Sequence, residues 1–388
     1  MGGTRHEPRI SDGTGTRLMA AVGVGFIGAG NISDTYLENL ASFPDIEVLI
    51  VGDLDTARAR EQAQKHGVPA SGTAAEVLAH PGVEIVVNLT IPAVHAEVSS
   101  SIIAAGKHVW SEKPIAVSRE SARALLEQAD AAGLRVGVAP DTVLGPGIQT
   151  AKRAIERGDI GRPLFAQTSM QWQGPELFHP NPAFLFAHGA GPLFDMGPYY
   201  FTTLVQILGP VATVAALGLK ATDSRVIKVG PNAGTSFDVE VPSTINVLAQ
   251  FEQGAQSQSL LSFDSPLSRQ GFVEIAGTEG TIMLPDPNMF SGRVAIVRPL
   301  AGHGETQDWV DVAEQGTVVG RGLGLLDMAR AIRAGRPHLA TGELGYHVLD
   351  VMVSAEESAL SGAFVDVAST VAPIGSMPVD FDPFAATL

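Results

Sequence analysis

The amino-acid sequence contains no cysteine among its 388 residues. Disulfide bonds, thiolate nucleophiles and cysteine-ligated zinc are therefore excluded. Apolar runs long enough to cross a bilayer are also missing, although 45% of the residues are hydrophobic. This composition is typical of a soluble globular protein, and we expect no contact with a membrane.

Positive charge is scarce as well. The chain has 25 Lys and Arg residues against 41 Asp and Glu residues, which gives a formal net charge of −16. Such a surface repels a phosphate backbone, so nucleic acid is not an expected partner. The first 20 residues are polar and glycine-rich and lack an apolar signal core. We expect a flexible tail over 1–20, no export signal and, by default, a cytoplasmic location.

Glycine, in contrast, is abundant and marks one stretch, residues 22–33. This stretch is an apolar run that breaks into glycines and then becomes helical. It predicts a buried parallel strand, a tight turn at Gly28 and Gly30, and a helix that begins with Asn31 and Ile32. Such a turn lets the backbone approach a pyrophosphate, and the helix N-terminus points its N–H groups at the phosphates. Taken alone the motif is weak, because glycine-rich turns also occur as simple loops.

An acidic residue strengthens the interpretation. A second predicted strand, residues 46–52, ends directly before Asp53. An acid about 20 residues after the glycine turn binds the ribose hydroxyls of NAD and repels the 2′-phosphate of NADP. The next residues, Leu54 and Asp55, offer no cation to receive that phosphate. Together these features predict a nicotinamide dinucleotide site that includes Asp53 and Leu54 and favours NAD over NADP.

Strand and helix patterns alternate over residues 21–140, which predicts a dinucleotide-binding Rossmann domain with a parallel sheet. A strand at 83–89 leads into Thr90 and Pro92, and His95 follows one turn into the next helix. Carboxyl ends of parallel strands line the ligand crevice, so we expect these three residues to contact the cofactor. A plain position on the helix surface is the alternative for His95, and it is the more common one for such a histidine.

The next predicted strand, 107–111, ends at Glu112, Lys113 and Pro114. A lysine at this lip of the sheet would point into the crevice where the nicotinamide lies, so Glu112 and Lys113 are further candidates for the cofactor site. In an arbitrary sequence these residues would be no more than a charged loop.

These motifs resemble, in order and spacing, those of the Gfo/Idh/MocA family, named for glucose–fructose oxidoreductase and inositol dehydrogenase. The resemblance covers roughly residues 21–365 and also includes two segments of the second half, 146–161 and 189–199. It implies a Rossmann domain followed by an α+β domain, residues 141–365, with a large, mostly antiparallel open sheet. This second domain would bind substrate and mediate oligomerisation.

The pattern of the second half independently agrees with this fold class. Helices are predicted at 146–157, 321–334 and 342–360, and strands at 164–172, 211–219, 245–251 and 272–276. Residues 366–388 hold three prolines with little periodicity, and we expect a C-terminal tail there. The alternating Val247, Ala249 and Phe251 need burial, and an open sheet leaves one face uncovered, so a homodimer or homotetramer is expected.

The resemblance assigns the catalytic work to Lys113, Asp195 and position 199. Here the sequence departs from the family pattern, because the usual histidine is Tyr199 and the usual acid three residues later is Thr202. Asp195 and Tyr199 are one turn apart and share a helix face. An ordinary tyrosine loses its proton only at about pH 10. Either Lys113 is therefore the base itself or it activates Tyr199.

A stretch at 171–188 mixes aromatic residues, histidines, amides and prolines. This chemistry suits a sugar, because flat apolar faces contact C–H surfaces and rigid donors bind hydroxyls. Trp172, His179 and His188, together with Lys113, Asp195 and Tyr199, are the predicted substrate contacts. The alternative is a loop that packs its own aromatics. The two histidines have few acids nearby, so no metal site is expected.

The sequence therefore predicts hydride transfer between NAD and a secondary alcohol of a sugar, inositol or related polyol. Two alternatives stay open. The first is a glycoside hydrolase or lyase that oxidises its sugar transiently, without net turnover of NAD. The second is a dinucleotide-binding sensor that has lost catalysis, which only the replacement at Tyr199 supports.

Overall fold

The computed structural model describes residues 21–302 and 305–388, and the tail expected at 1–20 lies outside the described residues. The first part of the chain alternates strand and helix, as the sequence predicts. Its strands are β1 (Val22–Ile27), β2 (Ile46–Gly52), β3 (Ala70–Gly72), β4 (Ile85–Asn88), β5 (His108–Ser111) and β6 (Val136–Val138). Its helices are α1 (Asn31–Leu40), α2 (Thr56–His66), α3 (Ala74–Ala79), α4 (His95–Ala104) and α5 (Arg119–Ala131).

These six strands form a parallel sheet in the order β3-β2-β1-β4-β5-β6. The strand order reverses between β1 and β4, and ligands of open α/β sheets bind outside the carboxyl ends of the strands at such a point. Local sequence explains the helix starts. Asp55 caps α2 by accepting hydrogen bonds from two backbone N–H groups. Thr73 and Glu76 form a capping box at the start of α3.

The second part of the described chain is an α+β arrangement. Its helices are α6 (Pro146–Glu156), α7 (Gly191–Leu208), α8 (Leu323–Ala334) and α9 (Gly342–Ser361). Its strands are β7 (Pro163–Gln171), β8 (Val211–Leu219), β9 (Ser224–Val226), β10 (Ser236–Asp238), β11 (Thr244–Phe251), β12 (Gln256–Ser262), β13 (Arg269–Gly277), β14 (Thr281–Leu284), β15 (Val294–Val297), β16 (Val310–Val312) and β17 (Val365–Asp366). Helices and strands thus occur within a few residues of the predicted ranges.

Within the described residues, nine of these strands form one sheet in the order β16-β15-β14-β13-β7-β12-β11-β8-β17. All pairs are antiparallel except β12 with β7. The large, mostly antiparallel sheet is therefore confirmed. Helices α7 and α9 pack on one face of it, and α7 carries Asp195 and Tyr199 to the Rossmann domain, where Lys113 follows β5.

The β11 side chains expected to need a partner chain are already covered by the chain itself. Val247, Ala249 and Phe251 are buried within the single chain, because α7 and α9 cover that side of the sheet. The opposite face carries the exposed leucines, with Leu217 on β8 74% exposed and Leu248 on β11 53% exposed. The burial of Val247, Ala249 and Phe251 therefore needs no second copy of the chain.

The segment 367–388 has little regular structure, but it differs from a loose tail. The carboxylate of Asp45, which lies just before β2, accepts hydrogen bonds from the backbone N–H groups of Thr387 and Leu388. Arg330 of α8 bonds the same carboxylate and the carbonyl of Asp382. This segment keeps its position although it has little regular structure, because its backbone groups form hydrogen bonds with the buried side chains of Asp45 and Arg330. No helix of the described chain is long and apolar enough to cross a bilayer.

Candidate active site

The glycine-rich turn lies at the carboxyl end of β1, and its two glycines differ in their surroundings. Gly28 has a φ of 108°, and a Cβ there would lie 2.7 Å from the backbone of Leu89, so only glycine fits. A Cβ on Gly30 would meet no atom of the described residues within 4 Å. Helix α1 begins next to this open space at Asn31, and no side chain of the described residues caps it. Free N–H groups beside open space fit a pyrophosphate.

Asp53 follows β2 and is nearly buried. Its Oδ2 accepts a hydrogen bond from the N–H of Ala29 in the glycine turn at 2.7 Å. Its Oδ1 accepts bonds from the N–H of Asp55 at 2.8 Å and from the guanidinium of Arg58 at 2.7 Å. Burial alone would raise the pKa of Asp53, but these donors, Arg58 first, lower it. The sequence predicts no cation beside Asp53, yet Arg58 reaches it from the first turn of α2. Leu54 is fully exposed.

His95 is buried and joins two loops of the crevice. Its Nδ1 lies 2.7 Å from the carbonyl oxygen of Pro114, and its Nε2 lies 2.8 Å from that of Thr90. Burial lowers the pKa of His95, so the ring is neutral at neutral pH. The structure thus places His95 as a brace between the ends of β4 and β5, and it excludes the alternative of a helix-surface residue.

Glu112 is buried at the end of β5 and accepts a hydrogen bond from the hydroxyl of Tyr36 at 2.9 Å. The hydroxyl of Tyr36 in turn accepts one from the indole of Trp110 at 3.2 Å. The second oxygen of Glu112 accepts from the backbone N–H of Lys113 at 3.1 Å. Glu112 therefore fixes the backbone from which the Lys113 side chain projects.

Lys113 and Asp195 form an ion pair across the two domains. The ammonium of Lys113 donates to Asp195 Oδ1 at 2.9 Å and to the carbonyl oxygen of Asp195 at 2.7 Å. Burial alone would lower the pKa of Lys113, but the negative charge of Asp195 raises it above its ordinary value. Lys113 is therefore a protonated cation at neutral pH in this arrangement.

Tyr199 lies one turn after Asp195 on α7 and is 4% exposed. Two cations face it: Lys113 Nζ is 5.2 Å from the ring centroid and the guanidinium carbon of Arg321 is 5.6 Å from it. The hydroxyl of Tyr199 accepts a hydrogen bond from Arg321 Nη2 at 3.1 Å. Arg321 was missed in the sequence because its position at the start of a predicted helix does not indicate its contact with Tyr199.

These groups meet at a cavity of about 500 Å³ between the Rossmann domain and the start of α7. The predicted site residues that line it are Ile32, Thr90, Pro92, His95, Glu112, Lys113, His188, Asp195 and Tyr199. Arg321 also lines it. The cavity wall does not include Gly28, Gly30, Asn31, Asp53 or Leu54, which lie at the glycine turn and the end of β2, nor Trp172 and His179.

The aromatic loop before α7 contributes the predicted His188 to the cavity wall, but Phe178 and Phe184 in place of Trp172 and His179. Trp172 stacks on Phe178 with 5.3 Å between ring centroids, and His179 packs edge-on against Phe184 at 5.3 Å. Phe178 and Phe184 themselves line the cavity and are partly exposed. Trp172 and His179 thus contact rings that line the cavity but do not line it themselves. No group of three or more His, Asp or Glu residues in the described chain is arranged to hold a metal ion.

The chain matches two family descriptions over most of this architecture. Residues 22–139 match an oxidoreductase family with an NAD-binding Rossmann fold, and residues 148–283 match the GFO/IDH/MocA C-terminal domain. The protein therefore belongs to the Gfo/Idh/MocA family of oxidoreductases, and its Rossmann domain binds NAD.

Similar proteins include dehydrogenases of known reaction. Trans-1,2-dihydrobenzene-1,2-diol dehydrogenase of Bos taurus is 28% identical over 266 residues, 68% of this chain and 74% of the relative. The scyllo-inositol 2-dehydrogenase (NAD(+)) of Bacillus subtilis is 26% identical over 261 residues, 66% of this chain and 72% of the relative. Levoglucosan dehydrogenase in complex with NADH and L-sorbose shares the fold, with a TM-score of 0.78, 21% identity, and coverage of 90% of this chain and 99% of that one.

Proposed function

We propose that the protein oxidises a secondary alcohol of a cyclic polyol, with a sugar or an inositol as the substrate class and NAD as the hydride acceptor. The observation that carries this proposal is the Lys113–Asp195 ion pair beside the ring of Tyr199, at the wall of a cavity outside the carboxyl ends of the parallel strands. Oxidation of an alcohol needs a group to hold the oxygen and a group to take its proton, in fixed geometry.

The residues divide this work according to their charge. Bound NAD supplies the carbon that accepts the hydride. Lys113 is already protonated, so it cannot take a proton and instead stabilises negative charge on the substrate oxygen. Tyr199 is then the group through which the hydroxyl proton passes. Asp195 holds the ammonium of Lys113 in place and can accept a hydrogen bond from a neighbouring substrate hydroxyl.

The cavity wall supports a ring-shaped substrate. Phe178 and Phe184 contribute apolar faces to this wall, and Lys113, Asp195 and Tyr199 contribute charged and hydroxyl groups. A ring with C–H surfaces and hydroxyls on its rim matches this combination. The two dehydrogenases most similar in sequence among those described above act on a cyclic diol and an inositol, which agrees with the same chemistry.

A substrate screen tests the proposal. The purified protein is incubated with NAD and a panel of sugars, inositols and cyclic diols, and NADH formation is followed by absorbance. Lys113→Met serves as the matched inactive control. We expect at least one cyclic polyol to give NADH with the parent protein and about 10²- to 10⁴-fold less with the variant.

Two outcomes would contradict the proposal. Conversion of a glycoside without any net change in NADH would favour the hydrolase or lyase mechanism. Tight binding of NADH, measured by its fluorescence, with no conversion of any compound would favour the sensor.

We further propose that the protein is a homodimer or homotetramer. The outward face of the nine-stranded sheet supports this, because Phe165, Leu217, Leu219 and Leu248 are all about half or more exposed on it. The strand register places Leu217, Leu219 and Leu248 on the same side. Contiguous apolar patches of this kind usually mark an interface.

A further inference from the structure

Arg321 is held in a defined position by the backbone around it. Its carbonyl oxygen accepts a hydrogen bond from the side-chain amide of Asn39 in α1 at 2.9 Å. The N–H of the next residue, Gly322, donates to the buried carboxylate of Asp141 at 2.8 Å. Gly322 has a φ of 104°, and a Cβ there would lie 2.8 Å from the Leu40 side chain. The segment before α8 therefore has little freedom to move Arg321 away from the cavity.

The side chain of Arg321 directs its charge at Tyr199. Its Nη2 donates to the Tyr199 hydroxyl at 3.1 Å and to the Asn288 side-chain oxygen at 2.9 Å. Burial alone would lower the pKa of Arg321, but Tyr199 first, and then Glu112, Tyr36 and Asp141, raise it above its ordinary value. The guanidinium thus stays charged in a largely buried site.

The second cation of the site is used differently. The ammonium of Lys113 is bound by Asp195 through two hydrogen bonds and faces the ring of Tyr199 rather than its oxygen. Within the described residues, Arg321 is the cation that donates a hydrogen bond to the Tyr199 hydroxyl. A positive charge at this distance stabilises negative charge on the oxygen, and such donors are strongest in sites that exclude water.

We propose that Arg321 is a positioning residue that acts on the reaction through Tyr199. This inference rests on the proposed function. In the reducing direction, the O–H bond of Tyr199 breaks as its proton passes to the carbonyl oxygen of the substrate. A hydride from NADH forms the new C–H bond as the carbonyl double bond is lost. The negative charge left on the phenolic oxygen is stabilised by the guanidinium of Arg321, which also fixes the direction of the hydroxyl.

A double-mutant cycle tests this role. We expect Arg321→Met to lower kcat by about 10- to 100-fold while the KM for NADH changes by less than about threefold, because the interaction strengthens only as charge develops. Arg321→Lys keeps the charge and should recover part of the loss. In the Tyr199→Phe background, Arg321→Met should cost less than about threefold more, because the two residues act as one unit. Arg293→Met, which removes an arginine from an exposed ion pair, is the matched control.

The outcomes separate the two proposals. If Tyr199→Phe is impaired but Arg321→Met is as active as the parent, or if the two losses multiply in the double variant, the role of Arg321 is wrong and the proposed function stands. If Tyr199→Phe is fully active while Lys113→Met is inactive, both the Tyr199 proton path and the role of Arg321 are wrong. If Arg321→Met unfolds, Arg321→Lys provides the same test. An equal loss of kcat from Arg321→Lys in the parent background and in the Tyr199→Phe background would also contradict the role of Arg321.

Discussion

The ion pair of Lys113 and Asp195 joins residues 82 positions apart in sequence. Its geometry depends on two anchors, Glu112 beneath the lysine backbone and the first turn of α7 beneath the aspartate. Each partner is thereby held by its own domain, and the reacting groups meet where the domains meet. Removal of either charge should therefore affect the chemistry more than the fold.

Lys113→Met and Asp195→Asn test this expectation. We expect Lys113→Met to lower kcat by about 10²- to 10⁴-fold with little change in the Kd of NAD, because the ammonium acts on the substrate oxygen. Asp195→Asn should also be strongly impaired, because the lysine loses the carboxylate that orients it. Steady-state kinetics on the substrate found by the screen, with NADH titrations by fluorescence, provide the measurement. Near-parental kcat in both variants would remove these residues from the mechanism.

Cofactor preference depends on a second pair, Asp53 and Arg58. Asp53 should make kcat/KM for NAD higher than for NADP, because its carboxylate repels a 2′-phosphate. Arg58 is about half exposed, partly neutralises this carboxylate and can itself receive the phosphate. We expect Arg58→Gln to raise the NAD-to-NADP ratio of kcat/KM by about two- to fivefold, the range that an exposed charge pair supports.

Arg60→Gln is the matched control for this prediction. Arg60 is exposed on the same helix, two positions further on, and its loss removes the same charge without touching Asp53. An equal change of the ratio in both variants would mean that only general charge matters.

At the scale of single elements, the start of α8 depends on one buried acid. Asp141 Oδ2 accepts hydrogen bonds from the N–H groups of Gly322 at 2.8 Å and Gly324 at 3.0 Å. Burial raises the pKa of Asp141 to about 6, against opposing effects of these donors and of Arg321, while Glu112 adds to the rise. The folded protein therefore binds this proton more tightly than the unfolded chain does.

The consequence is a definite pH dependence of stability. Between about pH 4 and pH 6 the folded state holds more protons than the unfolded state, so the free energy of unfolding should fall as pH rises through this window. Asp141→Asn keeps an acceptor oxygen and cannot titrate. We expect it to remove up to about 3 kcal/mol of this fall. Urea unfolding of parent and variant at about pH 4.5 and pH 7 measures the difference, and parallel pH dependences would contradict the assignment.

Features of the fold could be predicted from the sequence where short-range patterns specify them. The capping box of Thr73 and Glu76, the glycine turn and the alternation along β11 are all local, so their positions could be predicted. Arg321 could not, because its position at the start of a predicted helix does not indicate its contact with Tyr199, which lies 122 residues away in sequence. The same holds for Arg58, whose approach to Asp53 depends on how α2 turns back toward β2, and for Phe178 and Phe184, whose direction the loop alone decides.

At the scale of the whole molecule, the outer face of the nine-stranded sheet should be an interface. We expect light scattering at micromolar concentration to give the mass of a dimer or tetramer. The double variant Leu217→Glu/Leu248→Glu places two charges on this face and should shift the mass toward the monomer, because buried unpaired charges are costly. Leu54→Glu, at an exposed leucine of the Rossmann domain, should leave the mass unchanged. A monomeric mass for the parent protein would contradict the prediction that this face is an interface.

Asp45 brings the two ends of the described chain together, which makes a circular permutant possible. Its carbonyl oxygen accepts the N–H of Val22 at 2.9 Å, while its carboxylate accepts the N–H of Leu388 at 3.2 Å. The first strand and the last described residue therefore meet at one amino acid. A circular permutant that joins 388 to 21 through about six Gly and Ser residues, and opens at the exposed β11–β12 hairpin near Gly254, would keep every strand partner. Such a permutant should fold, and its new ends would lie between β11 and β12 of the nine-stranded sheet.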